Sequence, residues 1–386
     1  MANPDLPFDL ITNILTRLPP KSLLRFKSVS KPWYSLITHP NFIKSQINHS
    51  NSVNIPANII LRGCFLYSLT TNPPHKSLEL DYPYKTNDGG VEILGSCNGL
   101  LCISTQDDVI CLWNPSTQEF KKLPETPIEF LGDAFCCRNV LYGFGYDHTI
   151  DDYKVVRVVN YYVDGDVIDF EVKVYTLGSN SWRSNSWRMV KGVPYHIPYK
   201  RIYGVLVNGV LHWAATRLPE SDLTNVIAAF DIVEEVFKEV AQPRYGDDGF
   251  HMNVGSLGGC LCVHSNYDMS VFDLWVMKIY GQQDSWIKLF RVTQDSVFGQ
   301  FEYLKPLCYT KDGGILLEKD GYKIVLYDPT TLKKAKTLKI SHGASDWCES
   351  DTYIESLASL NSGTYVWKEH AKAKRKQNNK KGRKKR

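Results

Sequence analysis

The feature that most restricts the fold is a short unit that recurs after residue 95. A turn rich in asparagine and glycine leads into an apolar strand at Asn98-Gly99-Leu100-Leu101-Cys102, and variants of it begin at Asn208, Gly258 and Gly313. The repeat length is about fifty residues, and a unit of four short strands cannot bury both faces of its sheet without neighbours. The pattern therefore predicts a mainly β chain folded as a β-propeller, with six blades at this spacing.

A second sequence element recurs within the same repeats. Trp113-Asn114-Pro115-Ser116-Thr117 returns as Tyr327-Asp328-Pro329-Thr330-Thr331, and Asn or Asp before Pro is typical of a tight turn. Apolar and polar residues alternate in 153–159 and 170–175, which predicts strands with one polar face. Three tryptophans follow Asn-Ser or Asp-Ser and are placed to wedge between sheets: Trp182, Trp187 and Trp286.

The Gly-Gly to Trp arrangement of these units is similar to that of kelch repeats, which implies a kelch-like propeller. Only some of the units contain Gly-Gly, so a sandwich-like β domain remains an alternative. A propeller also has to close, because closure removes the exposed sheet edges that invite aggregation. We expect strands from 57–86 and 352–366 to meet in one blade or in adjacent blades.

Three short helices are predicted in the first forty residues. Pro7 suits the first turn of a helix, and Pro19-Pro20 ends an apolar stripe made of Leu10, Ile11, Ile14, Leu15 and Leu18. Ser22 is expected to cap the second helix. Ser30 is expected to cap the third, which His39-Pro40 ends.

A unit of this size buries too little surface to be stable by itself, because below about 40 residues a core usually needs a metal, a disulfide or a partner. No cysteine occurs before Cys64. Part of its apolar surface is therefore predicted to contact another protein, with packing against the following domain as the alternative. A helix-turn-helix DNA-binding domain is disfavoured, because these helices present mainly aliphatic side chains.

The order LP, IL, RLP, KSL, V-S-K and W-x-x-L-I over residues 5–45 resembles the F-box. The resemblance implies that this segment binds an SKP-family adaptor and, through it, a cullin-RING ubiquitin ligase. The predicted adaptor-binding residues are Leu6, Pro7, Leu10, Ile11, Ile14, Leu15, Leu18, Pro19, Leu23, Leu24, Val29, Ser30, Trp33, Leu36 and Ile37. Some of them must instead hold the three helices together.

Residues 95–345 resemble the F-box-associated domain of plant proteins. The similarity is carried by GSCNGLLC, LWNPSTQEFKKLP, YGFGYD, DDYKVVRV, VYTLGSNSWR and NGVLHW. Together with the N-terminal motif it is similar to the plant S-locus-type F-box proteins and to F-box regulators of immune-receptor abundance. It implies three parts: an F-box at 1–48, a substrate-binding propeller at 51–367, and a basic tail at 368–386.

The net charge of +4 conceals two different regions. The segment 368–386 carries 11 Lys or Arg and one Glu, which leaves 34 basic and 40 acidic residues and a charge of −6 elsewhere. So much like charge without apolar periodicity predicts a disordered tail. Its clusters resemble a nuclear-import signal, made of Lys374, Arg375, Lys376, Lys380, Lys381, Arg383, Lys384, Lys385 and Arg386. A solubilising role and nonspecific RNA or membrane attraction are the alternatives.

Neither a signal peptide nor a membrane-spanning apolar run is recognisable, so a nuclear and cytoplasmic location is expected. The ten cysteines show no zinc spacing. In a reducing compartment most of them are expected to be small buried apolar residues. No metal, cofactor or specific nucleic-acid partner is predicted.

Aspartates are frequent at 151–152 and 164–169, where paired carboxylates could act in acid-base chemistry or bind calcium. Their spacing fits no EF-hand loop, and turn formation is the commoner role of such residues. His212 and His264 lie in apolar strands and are expected to be core residues. No nucleophile or phosphate-binding motif is present, so catalysis is the weaker prediction.

Two functional hypotheses remain. In the first, the chain is a non-catalytic substrate receptor whose propeller loops hold a target protein, with candidates at 147–152, 163–169, 217–225, 244–252 and 264–270. In the second, the propeller is an enzyme or glycan-binding module and the F-box serves its own turnover. A catalytic or glycan-binding propeller is expected to gather carboxylates or aromatic residues at one mouth of its channel.

Overall fold

The computed structural model describes residues 6–360, apart from 53–57, 72–74, 107, 130–136, 164–165, 179–186, 192–194, 198–202, 218–224, 246–250, 268–270, 294–296, 332–333, 341–346 and 348. The basic tail and its predicted import residues therefore lie outside the described part, as does Trp182. Residues 6–52 form a helical unit of four helices, α1 (Phe8–Thr16), α2 (Pro20–Phe26), α3 (Lys31–Thr38) and α4 (Pro40–Ser52).

Proline begins two of these helices, and this differs from the sequence prediction. Helix α2 begins at Pro20, so Ser22 lies inside the helix and does not cap it. Pro40 ends α3 and also begins α4, a helix that was not predicted and that runs past residue 48. The physical reason is that proline lacks only an N–H that the first turn leaves unpaired. The cap at Ser30 is confirmed, since its hydroxyl accepts the Trp33 N–H at 3.3 Å.

Six antiparallel sheets follow, one for each blade. Blade I joins β1 (Asn58–Arg62), β2 (Leu66–Leu69) and β3 (Ser77–Glu79) to the last strand, β25 (Glu349–Tyr353). Blade II contains β4 (Val91–Cys97), β5 (Leu100–Thr105), β6 (Ile110–Trp113) and β7 (Phe120–Lys122). Blade III contains β8 (Cys137–Asp147), β9 (Asp152–Val163), β10 (Asp166–Thr176) and β11 (Trp187–Met189).

Blade IV has five strands, because two short ones share one edge of its first long strand. Its strands are β12 (Tyr195–His196), β13 (Val205–Val207), β14 (Val210–Arg217), β15 (Asn225–Asp231) and β16 (Val236–Val240). Blade V contains β17 (His251–Leu257), β18 (Cys260–Tyr267), β19 (Val271–Met277), a 3-10 turn (Gln283–Ser285) and β20 (Trp286–Thr293). Blade VI contains β21 (Leu304–Tyr309), β22 (Ile315–Lys319), β23 (Lys323–Tyr327) and β24 (Lys336–Thr337).

The blades form a closed ring, which confirms the six-bladed propeller and excludes the sandwich. The innermost strands contact one another in the order β25, β4, β8, β13, β17, β21 and back to β25. Closure comes from 349–353, where Glu349 pairs with Arg62 and Tyr353 with Asn58. The predicted meeting of 57–86 with 352–366 in one blade is confirmed at residues 352–353, but the strand begins earlier, at Glu349. Residues 354–360 form no strand and lie between the helical unit and blade II, and 361–366 lie outside the described residues.

The recurring Asn-Gly units are the turns between the first and second strands of their blades. Asn98 and Gly99 have φ of 51° and 83°, and Asn208 and Gly209 have φ of 53° and 76°. Positive φ at both turn positions is what a two-residue hairpin requires, and Asn-Gly adopts it at the lowest cost. The second unit forms the turn between the third and fourth strands of blades II and VI, where the Asn114 and Asp328 side chains accept backbone N–H groups of the turn.

Tryptophans tie neighbouring blades together, as the sequence predicted for two of them. Trp187 begins the outer strand of blade III and donates its Nε1–H to the Pro124 carbonyl, 2.9 Å away, just after blade II. Trp286 does the same in blade V with Ala241 at 2.8 Å. The predicted polar strand face is also covered, because Arg157 and Glu171 of blade III form an ion pair that is only 4% and 5% exposed.

The helical unit sits on one end of the ring, which we call the helical face. This end carries the turns between first and second strands, at 98–99, 148–151, 208–209, 258–259 and 310–314. Helix α4 contacts it through Asn51, which donates to Asn98, and through a Lys44–Asp151 ion pair. The opposite end, the open face, carries the connections from second to third strands, such as 63–65 and 320–322.

Lys154 joins blades III and IV in a buried ion network. Its Nζ lies 2.6 Å from Asp147 and 2.7 Å from Glu235, and it donates to the Ile232 carbonyl at 2.8 Å. Burial raises the pKa of Asp147, but hydrogen bonds from Lys154 and Thr149 lower it more and hold it at about 2. Because this folded pKa is depressed, the stabilisation is complete above the unfolded pKa near 4 and is lost as the pH falls through 2.

We expect Lys154→Met to lower the free energy of unfolding by about 3–5 kcal/mol at pH 7, because it leaves Asp147 buried without its cation. Urea unfolding at pH 7 and pH 3 measures this, and the variant should lose less stability than the parent between these two values. Lys238→Met is the matched control, since Lys238 pairs with Glu234 at the surface, where water and salt screen the ion pair and it should contribute little to stability. Equal losses in both variants would contradict the expectation.

Candidate functional site

Helix α1 carries two apolar stripes that face in different directions. Ile11, Leu15 and Leu18 turn inward, and Leu15 is only 2% exposed in a core shared with Leu23, Ile37 and Phe42. Leu10 and Ile14, one turn apart, point outward. A helix that is apolar on both sides favours a second partner, because the free energy falls when another surface covers exposed Leu and Ile side chains.

Exposed apolar side chains are concentrated in the helical unit. Of the fourteen large apolar side chains exposed in the described residues, six lie within residues 6–34. Each is between 52% and 61% exposed, and we call them the apolar patch: Leu6, Phe8, Leu10, Ile14, Val29 and Tyr34. Such a concentration of exposed apolar side chains in one small unit is typical of a protein-binding surface.

The structure divides the fifteen predicted adaptor-binding residues by burial. Seven are exposed: Leu6, Pro7, Leu10, Ile14, Pro19, Val29 and Ser30. Five are half-buried: Ile11, Leu18, Leu24, Trp33 and Leu36. Leu15, Leu23 and Ile37 are buried in the helical core, so they hold the helices together. Phe8 and Tyr34 were not predicted, although a large aromatic residue on the polar side of a short helix is a signal that could have identified them.

The open face is the part of the propeller that the helical unit leaves accessible. Of the predicted target-binding loops, 147–152 lies on the helical face, where Asp151 pairs with Lys44. The strands that flank 163–169, 217–225, 244–252 and 264–270 end at the open face, although most of these loops lie outside the described residues. Between blades II and III the open face has a cleft of about 670 Å³, lined in part by Ile110, Pro127, Arg138 and Tyr142.

The other large cavity, of about 1020 Å³, is the channel mouth on the helical face. Its wall includes the strand-connecting turns at Asn98, Asn208 and Gly258. Ser50 and Asn51 of α4 also line it, so the helical unit partly covers this mouth. The two ends of the ring therefore differ, because the described helices occupy only one of them.

Carboxylates do gather where blades I and VI meet, but each is held by a partner. Asp351 accepts the Tyr203 hydroxyl and lies 3.3 Å from the Lys305 ammonium. Burial, opposed by Lys305, raises the pKa of Asp351. Glu318 accepts from Ser350 and Tyr303, and Glu349 pairs with Arg62. Groups that are neutralised and hydrogen-bonded in this way cross-link blades and leave no carboxylate in this cluster unpaired for acid-base chemistry.

The histidines and aspartates considered for catalysis or metal binding lie in surroundings that indicate a structural role. Burial lowers the pKa of His212 to about 4 and that of His264 to about 3, so both are neutral core residues near pH 7. Asp152 begins β9 and Asp166 begins β10, and these two long strands are antiparallel partners. The two aspartates therefore lie at opposite ends of the pair, so the aspartate-rich segment is not one cluster. Within the described residues no group of His, Cys, Asp and Glu could hold a metal ion.

Most cysteines in the described part are buried in strands, as predicted, and only Cys64 among them is exposed. Burial raises the pKa of Cys97 to about 12, so its thiol is inert. No described helix is both long and apolar enough to cross a membrane.

Comparison with known proteins identifies both halves of the chain. Residues 59–362 match the model of the F-box associated beta propeller domain, and residues 4–45 match that of the F-box domain. The F-box protein CPR1 of Arabidopsis thaliana is 36% identical, over 91% of this chain and 88% of that protein. The F-box/kelch-repeat protein At3g23880 of the same plant is 31% identical, over 92% and 96%.

Proposed function

The chain belongs to the F-box proteins that carry an F-box associated beta propeller domain, and from this membership we propose that it is the substrate-recognition subunit of an SCF-type (SKP-cullin-F-box) ubiquitin ligase. The apolar patch binds an SKP-family adaptor, which brings the cullin-RING ligase. The open face of the propeller binds a target protein, which is then ubiquitinated and degraded by the proteasome. The protein itself contributes no catalytic group.

The observation that carries this proposal is the apolar patch on a helical unit mounted at one end of the ring. Adaptor and target would contact opposite ends of the molecule, so both can be bound at once. Helix α4 is fixed to the ring through Ile47, which is buried with Leu94 and Leu100 of blade II. A rigid connection of this kind raises the local concentration of a target lysine near activated ubiquitin, which replaces a bimolecular encounter with a local one.

The experiment is a substrate trap built on the full-length chain. Leu10→Asp with Ile14→Asp removes adaptor binding through exposed residues and leaves the helical core intact, unlike deletion of the F-box. Affinity purification should recover a target with both variant and parent, and the target should accumulate only with the variant. If the F-box served the chain's own turnover, the variant would itself accumulate and no other protein would be stabilised.

We propose that the basic tail directs part of the protein to the nucleus, since its Lys and Arg clusters resemble an import signal. Deleting 371–386 from a fluorescent fusion is expected to shift a nuclear and cytoplasmic distribution toward the cytoplasm alone. Adaptor binding should not change, because the apolar patch is formed by residues 6–34. An unaltered distribution would leave the tail without an import role. Replacing the same basic residues with Gln is the matched control for length.

A further inference from the structure

One residue from the far end of the chain lies in the core of the F-box. Leu357 is 3% exposed and belongs to the cluster formed by Leu15, Leu23, Ile37 and Phe42. It comes four residues after β25, the strand that closes the propeller. The helical unit therefore obtains part of its core from a segment that is in place only when blade I is complete.

Hydrogen bonds hold this segment, residues 354–360, on blade II. The Asn114 amide donates to the carbonyls of Ser356 and Ala358, at 3.2 and 2.7 Å. The Ser356 hydroxyl donates to the Asn98 carbonyl at 2.6 Å. At the end of the segment, Leu360 is buried in the propeller cluster. The segment thus has one side chain in the helical core and another in the ring.

Two further contacts fix the position of the segment. Lys21 of α2 forms an ion pair with Glu355 at 2.7 Å. Gly99 allows the close approach of Ser356, since a Cβ at Gly99 would lie 2.2 Å from the Ser356 hydroxyl oxygen. Gly209 occupies the same turn position in blade IV, and a Cβ there would meet nothing within 4 Å.

We propose that residues 354–360 are part of the adaptor-binding unit, with Leu357 as a positioning residue that completes the helical core beneath the apolar patch. Adaptor binding is then conditional on a closed propeller, so a chain with an incomplete ring does not enter the ligase. This inference rests on the proposed function and adds a way in which adaptor binding is regulated. The physical basis is that a helical unit of about fifty residues has little core to lose.

The test compares two leucines of the same segment in the full-length protein. Leu357→Ala leaves a cavity among the helices, so the helical unit is folded for a smaller fraction of the time and the affinity for a purified SKP-family adaptor should fall about tenfold or more. Leu360→Ala changes the ring side and should alter adaptor affinity by about twofold or less. Leu357→Met, which keeps the volume, should restore binding.

Hydrogen exchange separates a local role from general destabilisation. In Leu357→Ala we expect faster exchange in α1–α3 and unchanged protection in the blade strands. Gly99→Ala and Gly209→Ala provide an independent pair: both carry the same backbone strain, but only Gly99→Ala displaces Ser356 and should weaken adaptor binding. Parental adaptor affinity in Leu357→Ala, or loss of blade protection together with affinity, would overturn the inference. Failure of the parent to bind the adaptor would instead count against the proposed function.

Discussion

Ending the chain after residue 348 is expected to unfold the propeller, whereas ending it after residue 367 should leave its melting temperature unchanged. The first truncation removes β25, which supplies five residue pairs to β1. It also removes Asp351, the partner of Lys305, and Ser350, which donates to Glu318. Blades II and VI then lose the innermost strand that lies between them, and the edge of β1 is exposed to other chains.

Thermal unfolding followed by circular dichroism measures this difference. We expect the chain ending at 348 to aggregate or to have a melting temperature lower by about 15 °C or more. A loss of roughly 1 kcal/mol lowers the melting temperature of a large domain by about 2–4 °C, and the loss of one strand from a closed ring costs many times that free energy. A third chain, ending at 353, keeps β25 and should retain the folded ring. Equal melting temperatures for the chains ending at 348 and 367 would contradict closure by β25.

The blades could be predicted because their turns have chemical signatures. Asn98-Gly99 and Asn208-Gly209 require positive φ, and the residues that tolerate it are few, so the turns are visible in the sequence. The closing strand could not be placed in the same way. Its residues, Glu349-Ser-Asp-Thr-Tyr, show no apolar alternation, and two of its three buried residues, Ser350 and Asp351, pair with Glu318 and Lys305 of blade VI.

The same limit applies to polar residues within the blades. Alternation in β9 and β10 predicted one polar face, yet Arg157, Glu171 and Lys173, which share that face, are buried. Each blade is covered on both sides by its neighbours, so a polar face can be buried if every charge finds a partner. Such pairs involve residues far apart in the chain, for example Lys154 with Glu235, and local periodicity contains no information about them.

In the helical unit, the sequence motif does not indicate which of the apolar side chains are buried. Periodicity identified α1 as one wide apolar stripe, and it could not tell Ile11 and Leu15, which pack inward, from Leu10 and Ile14, which do not. Pro19-Pro20 and Pro40 were interpreted only as helix ends, although Pro20 and Pro40 each begin a helix. The ambiguity between the two stripes arises because burial depends on the packing of helices against each other and against Leu357.

Replacing Leu10 and Ile14 together by Ala is expected to weaken adaptor binding strongly and to leave the stability of the chain unchanged. Interface anchors of this size often contribute about 2 kcal/mol or more each, so the double variant should bind several hundredfold more weakly. Isothermal titration with a purified SKP-family adaptor measures the affinity. Leu6→Ala with Pro7→Ala, at the other exposed end of the apolar patch, should act in the same direction.

Leu15→Ala, in the same helix, is the matched control because it truncates the inward stripe. It should lower the free energy of unfolding of the helical unit by about 2–5 kcal/mol, and it should weaken adaptor binding only as far as the unit unfolds. Leu10 and Ile14 are exposed and make no comparable core contacts. Weaker binding in the double variant would therefore reflect lost contacts with the adaptor and not unfolding of the helical unit. Parental affinity in a folded Leu10→Ala, Ile14→Ala variant would show that the adaptor does not contact α1, and the apolar patch would then need a different partner.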